Sequence, residues 1–151
     1  EEDKYFYRYA QESIASPLRQ FDKDMIDGLN LRESGNVDGA IEKYVTMMKS
    51  SEHLKSGTDD DKIRLHYNLG LAYSYKGDKK KAEEQFKLCL NLEPETETWL
   101  VPHSYFELGK IYYDGGNRKA AEEMFEKISD FDDFDFETFL DMRISNFKNR
   151  N

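Results

Sequence analysis

Cysteine and long apolar runs are scarce in this 151-residue chain, and each scarcity removes a class of protein; the three prolines suit an all-helical one. The single cysteine, Cys89, excludes an internal disulfide framework and any multi-cysteine metal site. It falls at an apolar helical position, so a buried thiol in a reducing, cytoplasmic setting is expected. No apolar run approaches the ~20 residues that cross a bilayer, and no secretory pattern opens the chain. The first residues are Glu1, Glu2 and Asp3 with no Met, which reads as part of something longer. Basic residues are also in deficit, 22 against 31 acidic, giving a net charge of -9 and a pI near 4.9. That balance argues against nucleic acid and against anionic membrane surfaces as direct partners.

Chemistry is equally sparse. His53, His66 and His103 are isolated from one another, with no metal-ligand partner at helical spacing. His66 lies on an interior face, as a packed and hydrogen-bonded residue would. There is no glycine-rich phosphate loop and no nucleophile elbow. Asp130, Asp132, Asp133 and Asp135 crowd together without the turn glycine and closing glutamate of a calcium loop. They read as a solvated helix-capping run, and so do Asp59, Asp60 and Asp61. No catalysis, metal or cofactor is expected.

Aromatics, by contrast, make up 14% of the chain, with ten Tyr and ten Phe, too many for a disordered chain of this charge. One spacing occurs three times: Gly28–Gly35–Asn36–Ala40–Tyr44, Gly70–Gly77–Asp78–Ala82–Phe86 and Gly109–Gly116–Asn117–Ala121–Phe125. Such periodic self-similarity marks stacked helical hairpins. In the middle unit Thr58 caps a first helix with carboxylates in its first turn, where the helix dipole favours them. Gly77 ends that helix and Asp78 caps a second one, which stops before Pro94. Gly70 and Ala82 let the two helices approach, while Leu69, Tyr73 and Phe86 fill the volume beside them. The third unit repeats this with Leu108, Tyr112, Phe125 and Ile128. The first is degenerate, with Asp27 in the register of Leu69 and Leu108. Its first helix is expected to start at Ser16-Pro17, with Leu18, Phe21, Met25 and Leu29 on its apolar face. The fold class is therefore all-α, a superhelix of three helix-turn-helix units over about 17–55, 59–94 and 102–131. A flanking helix is expected in residues 1–16. A capping helix is expected in 135–151, with Phe136, Phe139, Leu140, Ile144 and Phe147 on one stripe.

The middle unit resembles the tetratricopeptide repeat, a helix–turn–helix of about 34 residues with Leu-Gly, Tyr, Ala, Phe and Pro at fixed offsets. Here these are Leu69, Gly70, Tyr73, Ala82, Phe86 and Pro94, with His66 in place of an aromatic. The third unit matches except for Asp133 in place of the Pro. The likeness extends over about residues 17–134. A narrower resemblance spans residues 99–109 and 132–144. These are similar to the C-terminal end of the inclusion-body clearance proteins and their relatives, the tetratricopeptide-repeat protein 39 family. That kinship implies a cytosolic, non-enzymatic protein linked to clearance of aggregated protein and to lipid droplets.

In this repeat class the first helices line a concave groove. Arg64, Tyr67, Leu71, Ser74 and Tyr75 of the middle unit point toward it, with His103, Phe106, Lys110, Tyr113 and Asp114 of the third and Asp22, Met25, Leu29, Arg32 and Glu33 of the first. The candidate partner-binding residues are Arg64, Tyr67, Leu71, Tyr75, Phe106, Lys110 and Tyr113, several of them aromatics with a polar tip, as interface anchors are. A neighbouring helix, the terminal one or one at residues 4–15, could instead cover several of these. A clamp for the paired carboxylates of a chaperone C-terminus needs Lys, Asn and Arg donors. The matching positions are Met25, Leu29, Asn68, His103 and Glu107, of which Asn68 alone agrees. No such clamp is expected. The sequence thus predicts a protein-interaction scaffold binding a peptide or helix, with a module for packing within a larger chain or for self-association as the alternative.

Overall fold

A computed structural model describes residues 18–50, 57–131 and 137–150, with side chains from Leu140 onward in the last stretch. Among the described residues there are seven helices and no strand: α1 (Gln20–Glu33), α2 (Val37–Lys49), α3 (Asp59–Lys76), α4 (Lys79–Cys89), α5 (Leu100–Asp114), α6 (Arg118–Ile128) and α7 (Glu137–Arg150). The first six form three hairpins, α1–α2, α3–α4 and α5–α6, stacked so that α2 meets α3 and α4 meets α5. The helix expected within residues 1–16 lies outside the described residues, as do Phe136, the Phe139 side chain, His53 and the Asp132–Asp135 run.

The three hairpin turns share one chemistry. Gly35, Gly77 and Gly116 have φ of 86°, 86° and 82°, which a side chain would resist. Each lets the next residue's N–H reach back into the preceding helix: Asn36 to Leu31 O at 2.8 Å, Asp78 to Tyr73 O and Asn117 to Tyr112 O at 2.9 Å. The same residues then cap the second helices through their side chains, accepting from Gly39, Lys81 and Ala120 N–H.

Within each hairpin the first-helix glycine lies against the second-helix aromatic. A Cβ placed on Gly70 would sit 2.7 Å from Phe86 Cε1, and Gly28 and Gly109 meet Tyr44 and Phe125 just as closely. Tyr44 and Phe86 are fully buried and Phe125 nearly so. Fully burying a side chain of this size contributes roughly 1.5–3 kcal/mol.

The core divides at α3. Leu65, Leu69 and Ala72 pack with Phe21, Met25, Tyr44 and Met47 of the first hairpin. Ile63 and Tyr67 pack with Phe86, Cys89, Leu100, Leu108 and Phe125 on the other side. A helix apolar on both sides belongs at the centre of a stack. The Leu69 register faces the preceding hairpin, which is why its counterpart Asp27 is exposed, with Lys43 at 3.7 Å. Cys89 is buried, and burial pushes its thiol up to about 12, out of reactive range.

Two expectations are corrected. α1 starts at Gln20, three residues beyond Pro17, because Arg19 is extended (ψ 158°) and serves as the N-cap. Asp59, Asp60 and Asp61 are not merely solvated. Thr58 does cap α3, accepting from Asp61 N–H, but each carboxylate also has its own distant neighbour. Asp59 accepts the N–H of Glu93. Asp60 accepts those of Glu95, Thr96 and Glu97, so the segment before α5 is folded onto the start of α3. Asp61 joins Asp22, Arg19 and Arg64 in a ring of charges that ties α1 to α3, with Arg19 donating to both carboxylates at 2.9–3.1 Å.

α7 packs against α5 and covers the third hairpin, as the apolar stripe predicts. Phe147 meets Tyr113 edge-on at 5.1 Å and Phe125 at 6.2 Å. Leu140 is fully buried, and Lys148 pairs with Glu122 at 2.8 Å.

Candidate functional site

The first helices α1, α3 and α5 together line a pocket of about 330 Å³ that α7 closes on one side. α1 contributes Leu29 and Arg32. α3 contributes Tyr67, Asn68, Leu71, Ser74 and Tyr75, one face of the helix at successive turns. Trp99 and, from α5, Leu100, His103, Glu107 and Lys110 line the opposite wall, and α7 adds Arg143. The volume is at the small end of ligand pockets, enough for a side chain or two.

Its floor is aromatic. Tyr67 meets Trp99 edge-on at 6.2 Å, and Trp99 meets His103 at 5.0 Å. The Trp99 indole N–H donates to Glu97 Oε2 at 2.7 Å, which fixes the ring. Burial raises the Tyr67 phenol well above its ordinary value, with the Glu107 charge adding to the effect. Burial also pushes His103 down to about 3, helped by repulsion from Arg143 and Lys110, so its imidazole is neutral at physiological pH.

The walls are charged. The Glu107 carboxylate is buried, with Lys110 Nζ at 2.8 Å and Arg143 Nη2 at 3.7 Å. Arg32 holds its guanidinium 5.5 Å from the Tyr75 ring, and Tyr75 is the most exposed residue of the rim at 63%.

Of the seven residues expected to line the groove, Tyr67, Leu71, Tyr75 and Lys110 do so. Arg64 is turned into the interhelix charge ring, donating to Asp22 Oδ1 at 3.0 Å, and is 4% exposed. Phe106 is buried beneath the cations of Lys110 and Arg143, 5.0 and 4.7 Å from its ring. Tyr113 is taken up by Phe147. The last two lie under or against α7, the cover that the sequence left open as an alternative. Of the first-unit residues expected in the groove, Leu29 and Arg32 line the pocket, whereas Asp22 joins the charge ring and Met25 the core. Trp99, Leu100 and Arg143 line it without having been expected there. Trp99 precedes its helix and Arg143 sits beyond the repeats, so repeat spacing names neither.

Four of the five clamp positions, Leu29, Asn68, His103 and Glu107, face the pocket. Asn68 donates to the Arg64 carbonyl in its own helix at 2.8 Å. His66 is hydrogen-bonded to Gln85 at 2.9 Å. Among the described residues no group of three His, Cys, Asp or Glu could hold a metal ion, and no helix is long and apolar enough to cross a membrane.

Two stretches of the chain, residues 63–96 and 102–133, match the sequence profile of the tetratricopeptide repeat. The chain carries tetratricopeptide repeats. They coincide with the second and third hairpins, while the first shares their turn and glycine–aromatic contact without matching the profile. The chain is similar to the photosystem I assembly protein Ycf3 of Rippkaea orientalis, 23% identical over 107 residues, 70% of this chain and 59% of that protein. The same protein of Cyanophora paradoxa is 27% identical over 107 residues, 69% of this chain and 56% of its own length. The chain thus spans less than three-fifths of these curated relatives. Neither relative is an inclusion-body clearance protein, and much of the acidic-aromatic stretch behind that resemblance lies outside the described residues.

Proposed function

We propose that this chain is a protein-interaction scaffold that holds a segment of a partner protein in the pocket between α1, α3, α5 and α7. The observation that carries it is the convergence of three successive first helices on one cavity with an aromatic floor and an exposed tyrosine at its rim. Aromatics of this kind anchor interfaces because they bury a large apolar area and keep a polar tip. The curated relatives are assembly proteins by name, and holding a partner during assembly is the role we infer for this chain. A link to clearance of inclusion bodies rests on the C-terminal resemblance alone. The cytoplasm is the proposed location, on the lone buried thiol.

Affinity capture from a cell extract tests the groove. Wild type, a Leu71→Ala, Tyr75→Ala rim variant and a Leu88→Ala control are compared; Leu88 is exposed but does not line the pocket. A protein retained by wild type and control and lost by the rim variant supports the proposal. Equal retention by all three moves the binding site elsewhere.

A further inference from the structure

The turns of the second and third hairpins gather positive charge in a chain whose net charge is -9. Residues 76–81 read Lys-Gly-Asp-Lys-Lys-Lys, and 114–119 read Asp-Gly-Gly-Asn-Arg-Lys. The two turns are neighbours at one end of the stack, with Lys79 Nζ 3.9 Å from Asp114 Oδ2. Lys79 and Arg118 each follow the capping residue of their helix, and Lys80 and Lys119 come next, so one cationic pair recurs in register. All four are exposed.

Local stability does not account for these cations. A helix start favours carboxylates, and α1, α2 and α3 follow that rule with Asp22, Asp38 and the Asp59, Asp60, Asp61 run. α4 and α6 have no acidic residue in their first turns and open on lysine and arginine instead. Neighbouring carboxylates do not absorb all of this charge. Lys76 pairs with Asp38 at 2.6 Å, Lys79 with Asp114 at 3.9 Å and Lys81 with Asp78 at 3.6 Å. Among the described residues, no carboxylate lies within ion-pair distance of Lys80, Arg118 or Lys119. Arg118 stands 4.8 Å from the Tyr113 ring, which helps to hold its guanidinium in place. The first unit has Val37 and Asp38 at the corresponding positions, so the cationic edge is confined to the two units that match the repeat profile.

We infer that this edge is a second docking surface, separate from the groove, for an acidic segment of a partner protein, a run of Asp and Glu laid across the two turns. Lys80, Arg118 and Lys119 receive its carboxylates and give up no internal ion pair in doing so. Charge complementarity of this kind speeds encounter and selects the partner. The helix-start N–H groups are not the receptor, because those of Lys81 and Ala120 already donate to Asp78 and Asn117. A long polyanion or an anionic bilayer would extend past the two turns and meet the negative charge of the remaining chain. A short acidic run meets this edge alone.

The probe is a rhodamine-labelled octapeptide amide of alternating Glu and Asp, followed by fluorescence anisotropy with the full chain at low ionic strength. Saturable binding that weakens with added salt is expected for this peptide and not for its Gln and Asn counterpart. Lys80→Glu with Lys119→Glu is expected to weaken binding at least about tenfold, and Lys80→Gln with Lys119→Gln to fall between. Lys23→Glu with Lys49→Glu changes the net charge equally, at exposed positions of the first hairpin far from its turn, and should alter binding by less than about twofold. Far-ultraviolet circular dichroism checks that each variant is folded. The Leu71→Ala, Tyr75→Ala rim variant should bind like wild type, which keeps this surface distinct from the groove. No saturable binding of the acidic peptide, or equal loss in the two charge-reversed variants, overturns the inference. So does loss of peptide binding in the rim variant. Binding of phosphatidylserine vesicles or oligouridylate without binding of the peptide overturns the assignment to a protein partner.

Discussion

The Asp60 carboxylate accepts the backbone N–H of Glu97 at 2.7 Å, across 37 residues of sequence. The same group receives the N–H groups of Glu95 and Thr96, so a helix start in one repeat shapes the approach to the next. Glu97 in turn fixes the Trp99 indole on the pocket floor. The order of the pocket is thus tied to a residue that does not line it.

Asp60→Ala is expected to destabilise the fold by about 1–2 kcal/mol, through lost charge-assisted hydrogen bonds to three N–H groups and a lost helix-dipole interaction. Asp60→Asn, which keeps an acceptor oxygen, should recover part of this. Urea unfolding measures the stability. Faster amide exchange at residues 95–97 in the alanine variant locates the cause.

Two glycines of one hairpin are fixed for different reasons, and substitution separates them. Gly70→Ala gains about 1 kcal/mol of helix propensity but drives a methyl group into the Phe86 ring, and overpacking costs about 1–3 kcal/mol. Net destabilisation is expected, relieved by Phe86→Leu in the same chain. Gly77→Ala meets no atom within 4 Å, yet its φ of 86° costs about 1–2 kcal/mol, and Phe86→Leu should not rescue it. Urea midpoints of the four variants decide the matter.

His103 sets a pH dependence. Its folded imidazole is pushed down to about 3, whereas in an unfolded chain it titrates near 6.5. Between those values the unfolded state binds more protons, so stability is full above the unfolded value and falls as pH drops. The slope is at most about 1.4 kcal/mol per pH unit for one group. His66, lowered chiefly by burial, acts in the same direction. Urea midpoints at pH 7.5, 6.5 and 5.5 should fall less steeply in His103→Gln than in wild type. Parallel slopes would mean that the buried imidazole does not stay neutral.

The parts of the fold legible in the sequence are those decided within one hairpin. Gly35, Gly77 and Gly116 adopt left-handed backbone, Asn36, Asp78 and Asn117 cap, and each first-helix glycine meets its aromatic, because all three depend on fixed offsets along the chain. What was not legible depends on contacts between units. Arg64 and Tyr67 are neighbours on one helix, but Arg64 faces the Asp22 and Asp61 carboxylates and Tyr67 faces the pocket. Only the position of α1 decides that. Phe106 and Tyr113 have the spacing of groove residues, but α7 lies over that end of the groove, and its own pattern gives a buried stripe without saying where it docks.

Exposed Asp27 stands where Leu69 and Leu108 bury themselves against a preceding hairpin. Copies of the described stack joined head to tail in that register would have to dehydrate a carboxylate at every junction, and α7 already occupies the face of the third hairpin. Repeat proteins risk polymerising because every unit is complementary to the next. In the described stack, a charge in that register at one end and a helix over the other disfavour such a junction.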